Sequence, residues 1–275
     1  MREARHLSAG RYAVNPLYFG SSDRPLYGVY HAPKARSGRR TGVVLCYPFG
    51  QEYMRAHRAF RQLSLQLAKA GFHVFRFDYY GTGDSSGDGD DFCLAQAAVD
   101  AGQAIEELQD MADVDTVALF GLRLGGTVAA QVAAQHDAVT HLVLWDAIGD
   151  GAAYLQELQA EAKVPAAAGG RGDHAAPTTF GVMGYPVPPA VQSELAGLQF
   201  GKVARSTSVR TLVVSDSDTT EAGALASWCR ESGWVTDTLV SPLPGKWGEV
   251  DNWGSAMIPQ DAIQAIVSWM SNEVA

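Results

Sequence analysis

The stretch that most restricts this chain is Thr116 to Ala130, TVALFGLRLGGTVAA. A short apolar run, Thr116 to Phe120, meets Gly121, and a helical pattern follows at once to about Gln135. A strand that turns so sharply into a helix needs small residues at the corner, because a Cβ there obstructs the approach of the two elements. The residue at the tip, Arg123 within Gly121-Leu122-Arg123-Leu124-Gly125-Gly126, is thrust out at the end of a sheet. That is where ligands bind in open α/β folds.

The flanking sequence repeats the same alternation. Tyr12 to Phe19 and Pro25 to His31, broken by Gly20-Ser21-Ser22-Asp23, read as an opening antiparallel hairpin. Ala35 to Thr41 is a polar turn, and Gly42 to Tyr47 is a continuous apolar run, as in a strand buried on both faces. A helix over Arg55 to Ala70 stops at Gly71. The strand His73 to Asp78, a Gly/Ser/Asp loop from Gly81 to Gly89, a helix over Asp91 to Leu108 and, after the corner, the strand His141 to Trp145 continue the pattern.

Between Trp145 and Thr211 the pattern changes. Helices are expected over Ala152 to Ala162 and Ala190 to Leu198, separated by an Ala/Gly-rich stretch from Pro165 to Pro177 and by Gly184-Tyr185-Pro186-Val187-Pro188-Pro189. Alternation resumes with Thr211 to Ser215, a helix over Ala222 to Glu231, the strand Trp234 to Val240 and a last helix over Gln260 to Met270. Strands alternating with helices at this pitch predict a mostly parallel, twisted sheet covered on both faces. The interruption is too long for a simple crossover and reads as an inserted lid. The expectation is one α/β domain over residues 1–275, with a core of 12–148 and 203–275 and a lid of 149–202. The Arg171-Gly172-Asp173 triplet in the lid is read as a chance occurrence, not an adhesion motif.

Composition narrows the function classes. Hydrophobic residues make up 47% and charged residues 19%, which suits a packed core and not a disordered chain. A net charge of -9 opposes general nucleic-acid binding. Cys46, Cys93 and Cys229 are scattered and form no CxxC, so neither a disulfide scaffold nor a zinc knuckle is expected. Met1 to Arg11 has no apolar core of a secretory signal, and no stretch approaches a membrane span. The cytoplasm is the expected compartment, with no cofactor, metal, nucleic acid or membrane partner.

From about Pro25 onward the chain resembles the α/β-hydrolase superfamily. The strand–turn–helix at Arg123 has the context of the G-x-S-x-G elbow. Tyr47-Pro48-Phe49-Gly50-Gln51-Glu52 is similar to the loop that supplies an oxyanion-hole amide in such enzymes. Asp78-Tyr79-Tyr80-Gly81-Thr82-Gly83-Asp84-Ser85 looks like the D-x-x-G-x-G-x-S loop, and Ser215-Asp216-Ser217-Asp218 stands where the superfamily keeps its acid. Within the superfamily the chain looks most like bacterial hydrolase-like proteins found beside exosortase and secondary-metabolite clusters, some of which carry Arg in the elbow. The resemblance implies an oxyanion-type pocket from the backbone amides of Phe49 and Leu124. It leaves a homodimer open.

Two members of the implied triad are missing by residue type. Arg123 cannot accept an acyl group, since its guanidinium stays protonated. The base is expected after the last strand, yet the seven histidines are His6, His31, His57, His73, His136, His141 and His174. Spacing before the last helix places Asn252 at the histidine position, and Asp216 or Asp218 remains as the acid. Arg123 also starts a helix, where the macrodipole disfavours a cation. An anion is therefore expected beside it. The choice lies between an internal partner (Asp216, Asp218, Asp84 or Glu52) and the carboxylate or phosphate of a ligand.

Other residues are weighed the same way. Glu52 and His57 are expected to line the pocket, while Arg58 and Arg61 belong to a solvated face. Tyr47 is a candidate donor to a ligand, and Trp247 and Trp253 are candidate walls of an apolar pocket. Cys46 reads as a structural thiol, Cys93 lacks a neighbouring base, and Ser85 and Ser86 read as turn caps. Three functions stay open. The first is a non-hydrolytic enzyme acting by cyclisation, isomerisation, epimerisation or elimination on a small organic, peptide- or polyketide-like substrate, with Arg123, Asp216 and Asn252 at its centre. The second is an esterase or thioesterase with a displaced nucleophile, and the third a non-catalytic binding or scaffold protein.

Overall fold

A computed structural model describes residues 14–34, 38–162, 180–200, 208–248 and 257–274. Eight strands form one sheet: β1 (Val14–Ser21), β2 (Arg24–His31), β3 (Thr41–Cys46), β4 (His73–Phe77), β5 (Thr116–Leu122), β6 (Val139–Trp145), β9 (Arg210–Ser215) and β10 (Val235–Val240). Their order is β1-β2-β4-β3-β5-β6-β9-β10. The hairpin β1–β2 is antiparallel and joins β4 antiparallel, and all later pairs are parallel. This is the mostly parallel sheet that the alternation predicted. A short second sheet pairs β7 (Phe180–Val182) with β8 (Tyr185–Val187).

The central strands are buried along most of their length because helices cover the sheet. All of β3 is buried, whereas no residue of the edge strand β10 is. Helix α1 (Gln51–Lys69) buries Ala56, Ala59, Phe60, Leu63 and Leu67, a stripe at helical spacing, and packs on β4 and on α7 (Gln260–Glu273). Helices α2 (Leu94–Ala112) and α3 (Leu124–Ala133) pack on each other and on the sheet. Helix α6 (Thr220–Glu231) packs on β9 and β10.

Boundaries differ from expectation where polar residues are buried. Helix α1 begins at Gln51, not Arg55, because Gln51 and Glu52 are buried polar groups that hydrophobic spacing cannot see. Helix α2 begins at Leu94, not Asp91. A 3₁₀ turn over Gly89–Asp91 precedes it, closed by reciprocal bonds between Asp88 and Asp91. The hairpin β7–β8 lies within a stretch that reads as irregular from its prolines; Pro186 fits because the sheet has only two strands. Between β6 and β9 the chain also forms α4 (Gly151–Ala162) and α5 (Pro189–Gly197), which pack together. The triplet at 171–173 lies outside the described residues.

The glycine-rich loop 78–89 is held by its own polar groups. Asp78 is buried; its Oδ1 accepts from Tyr53 Oη (2.9 Å) and its Oδ2 from Asp84 N (3.0 Å). Ser85 Oγ donates to Asp78 O and accepts from Tyr27 N, and Ser86 Oγ donates to Pro25 O. The sequence reads these serines as turn caps; their side chains instead tie the loop to β2.

Candidate functional site

The corner between β5 and α3 is as tight as its glycines imply. A Cβ on Gly121 would lie 2.3 Å from Gly125 O, and one on Gly125 would lie 2.2 Å from Tyr47 O. No side chain fits at either position. Arg123 caps α3 at φ 52 and ψ -123. This conformation costs a non-glycine residue about 1–3 kcal/mol and persists only where surroundings over-determine it. Here Arg123 N donates to Trp145 O (2.9 Å), and Arg123 O accepts from Gly126 N (2.9 Å) and Ile148 N (3.3 Å).

The side chain of Arg123 points into a cavity of about 430 Å³ at the C-terminal ends of β5, β6 and β9. Its partners are carboxylates. Nε donates to Glu52 Oε1 (2.9 Å) and Nη2 to Glu157 Oε2 (3.0 Å). The guanidinium lies 5.2 Å from the ring centroid of Tyr154, whose hydroxyl donates to Glu52 Oε2 (3.2 Å). Burial works against the charge on Arg123, but Glu52, Tyr154 and Glu157 outweigh it and raise its pKa. Burial pushes the Glu52 carboxyl up, opposed by Arg123 and the Tyr154 hydroxyl. Of the four internal partners considered from sequence, Glu52 is the one in contact. Glu157 and Tyr154, both on α4, were not anticipated.

A second carboxylate lies on the same wall. Asp146 follows β6, at φ 44, with Oδ1 accepting from Asp216 N (3.1 Å) and Oδ2 from Trp247 Nε1 (2.9 Å). Burial raises its pKa to about 6; the Trp247 indole, the charge of Arg123 and the Asp216 amide act in the other direction. Sequence reasoning missed it, although an aspartate directly after an apolar strand in a parallel sheet was a usable signal. Six acidic residues line the cavity, Glu52, Asp146, Glu157, Glu161, Asp216 and Glu221, against Arg123 and Lys246. Among the described residues no group of three or more His, Cys, Asp or Glu is placed to hold a metal ion.

The other sequence candidates divide. Glu52, Asp216 and Trp247 line the cavity, with Trp247 edge-on to Trp145 at 5.4 Å. Asp216 does not hold Arg123. Its carboxylate accepts from Ser217 Oγ, and its amide serves Asp146. Asp218 is exposed and off the cavity wall. Tyr47 is not at the cavity: it is buried, stacked on Phe60 at 4.2 Å, and its hydroxyl accepts from Arg76 Nη1 (3.2 Å). His57 also lies off the wall, stacked on Tyr47, with its pKa lowered by burial and by Arg76 and Arg61. Phe49 faces a separate aromatic pocket of about 330 Å³ with Tyr53, Phe92 and Tyr185, while Leu124 is buried in the first turn of α3. Asn252 and Trp253 lie outside the described residues. Cys46 is fully buried and its thiol is pushed up to about 12 by burial, as a structural cysteine requires.

Gln51 ties the wall together. Its Nε2 donates to Glu161 Oε2 and to Gly248 O, both at 2.8 Å, linking α1, α4 and the Trp247 loop. Among the described helices none is long and apolar enough to cross a membrane.

Sheet order, elbow and cavity together define an α/β-hydrolase. Residues 42–239 match the family described as serine aminopeptidase, S33, so the chain belongs to that family. No curated protein matches the sequence. Solved structures share the fold at low identity. An esterase of Pyrococcus furiosus aligns with a TM-score of 0.64 and 12% identity over 96% of this chain and 92% of its own. An esterase of Butyrivibrio proteoclasticus with ferulic acid bound gives 0.66 and 15% over 94% and 97%. A carboxyl esterase of Bacillus coagulans gives 0.65 and 16% over 96% and 99%.

Proposed function

We propose that this member of the α/β-hydrolase family is an enzyme that acts on a small organic molecule without forming an acyl-enzyme. The observation that carries the reading is the residue at the elbow tip, a guanidinium clamped by Glu52 and Glu157. A protonated guanidinium offers no lone pair for attack, and with two carboxylates on it Arg123 acts as a fixed ion pair rather than as an anchor for an anion. The acidic wall supports a neutral or cationic substrate, because an anion entering it meets like charge in a partly desolvated site. Isomerisation, epimerisation, cyclisation or elimination can run on positioning and polarised hydrogen bonds in such a pocket. A bacterial secondary-metabolic substrate, with the enzyme in the cytoplasm, fits the subfamily resemblance.

The test is chemical. Incubation with a fluorophosphonate probe and with activated acyl esters is expected to leave the intact protein unlabelled by mass spectrometry. Stoichiometric labelling that survives Arg123→Ala would show a displaced nucleophile and return the protein to the esterases.

A further inference from the structure

The cavity contains a carboxylate whose setting suits proton transfer and which the elbow clamp does not use. Asp146 is the first residue after β6, at the sheet edge where parallel strands present groups to ligands. Its φ of 44 is a conformation that side-chain-bearing residues seldom adopt, and strain of this kind is retained where the surroundings impose it. Those surroundings are explicit. Its amide donates to Val214 O (2.8 Å), and its two oxygens take the Asp216 amide and the Trp247 indole. Each carboxylate oxygen has one more lone pair, so the group remains able to take a proton. It is half-buried and forms part of the cavity wall.

Charge around it comes from several elements. Arg123 at the elbow and Asp216 after β9 act on it directly. The rest of the wall brings Glu52 from α1, Glu157 and Glu161 from α4, Glu221 from α6 and Lys246 beside Trp247. The donors to the oxygens of Asp146 are a neutral amide and a neutral indole, whereas Glu52 binds a cation directly. Asp146 is thereby placed as a base while Glu52 is occupied as a counter-ion.

We infer that Asp146 is the proton-transferring residue of this cavity, and that its substrate is a neutral or cationic carbon acid, with a C–H bond acidified by an adjacent carbonyl or similar group. This rests on the reading that no acyl-enzyme forms. In the step, an Asp146 oxygen takes the proton, the C–H electron pair moves into the adjacent carbonyl, and an enolate results. Asp146 then returns the proton to a conjugated carbon on the face from which it was taken, which isomerises the substrate. Nothing is oxidised or reduced and no co-reactant is consumed. A base with a pKa near 6 suits such work at neutral pH, since it is ionised yet holds a proton well enough to relay it.

Kemp elimination of nitrobenzisoxazole tests this on the intact protein. The base takes the ring C–H proton, a nitrile forms as the N–O bond breaks, and a coloured phenolate leaves. The expected result is a saturable rate that rises with pH through an inflection near 6 and falls about 100-fold in Asp146→Asn. In Trp247→Phe, which keeps the carboxylate but removes the indole donor, the inflection moves to higher pH. A bracket that only holds the Asp216 loop would not move that inflection. Three results overturn the inference: no saturable elimination by the wild type, an unchanged rate in folded Asp146→Asn, or an unchanged inflection in Trp247→Phe. Fluorophosphonate labelling with the Asp146-dependent elimination intact would instead sink only the proposed function.

Discussion

Glu52 and Asp146 line one cavity and both are driven toward the protonated form by burial, yet they are placed for different work. Glu52, 3% exposed, meets the Arg123 guanidinium and the Tyr154 hydroxyl. Asp146 meets an amide and an indole. Desolvation pushes both carboxyls the same way, and their unequal partners teach that burial alone does not assign a role. A carboxylate hydrogen-bonded to a buried cation becomes part of the scaffold, while one bonded to neutral N–H groups keeps a usable proton affinity.

The comparison breaks most readily on the Glu52 side. Glu52→Leu leaves Arg123 with the exposed Glu157 as its carboxylate partner among the described residues, and urea unfolding is expected to show a loss of about 3 kcal/mol. Adding Arg123→Met should recover most of that loss, since an apolar pair can replace a buried ion pair at little cost. If the double variant is no more stable than Glu52→Leu, Arg123 and Glu52 do not act as one ion-paired unit.

A middle-sized effect is expected from Trp247→Phe, about 1.5–2 kcal/mol, because the hydrogen bond lost is to a group that becomes charged. Its pH dependence gives the sign. The folded pKa of Asp146, about 6, is above the usual unfolded value of about 3.9. The stability from this shift is therefore present in full below about pH 3.9 and is lost as pH rises through 6. Removing the indole donor raises that pKa further. The cost of the substitution should therefore be smaller at pH 5 than at pH 8 in paired unfolding curves, and equal costs would detach Trp247 from the titration of Asp146.

The smallest effect is assigned to Glu157→Gln. Its side chain is 59% exposed, and ion pairs of that kind contribute about 0.5 kcal/mol or less. A loss as large as that of Glu52→Leu would mean that α4 holds Arg123 more firmly than its exposure implies.

Much of the fold was legible because burial on both faces writes itself as continuous apolar runs, as in Gly42 to Tyr47 and Thr116 to Phe120. The first turn of α1 was not, because its inward residues Gln51 and Glu52 are polar. The candidate site was half legible. Glu52, Asp216 and Trp247 were placed by their order relative to strands and do line the cavity, whereas Tyr47 and His57 stand in the right loop and helix but face a packed aromatic cluster.

By itself the sequence determined the corner. Gly121 and Gly125 admit no side chain where strand and helix touch, so whatever residue stands at 123 is presented at the sheet edge, and here it is an arginine. Only the tertiary structure decided what that arginine meets. Glu52 is 71 residues away in the chain and Glu157 is 34 away, on a helix whose own pattern says which face is wet but not what it lies against. Local periodicity records how deeply a residue is buried. The identity of an ionic partner depends on how separate elements close over the sheet, and on the cost of leaving a buried charge alone.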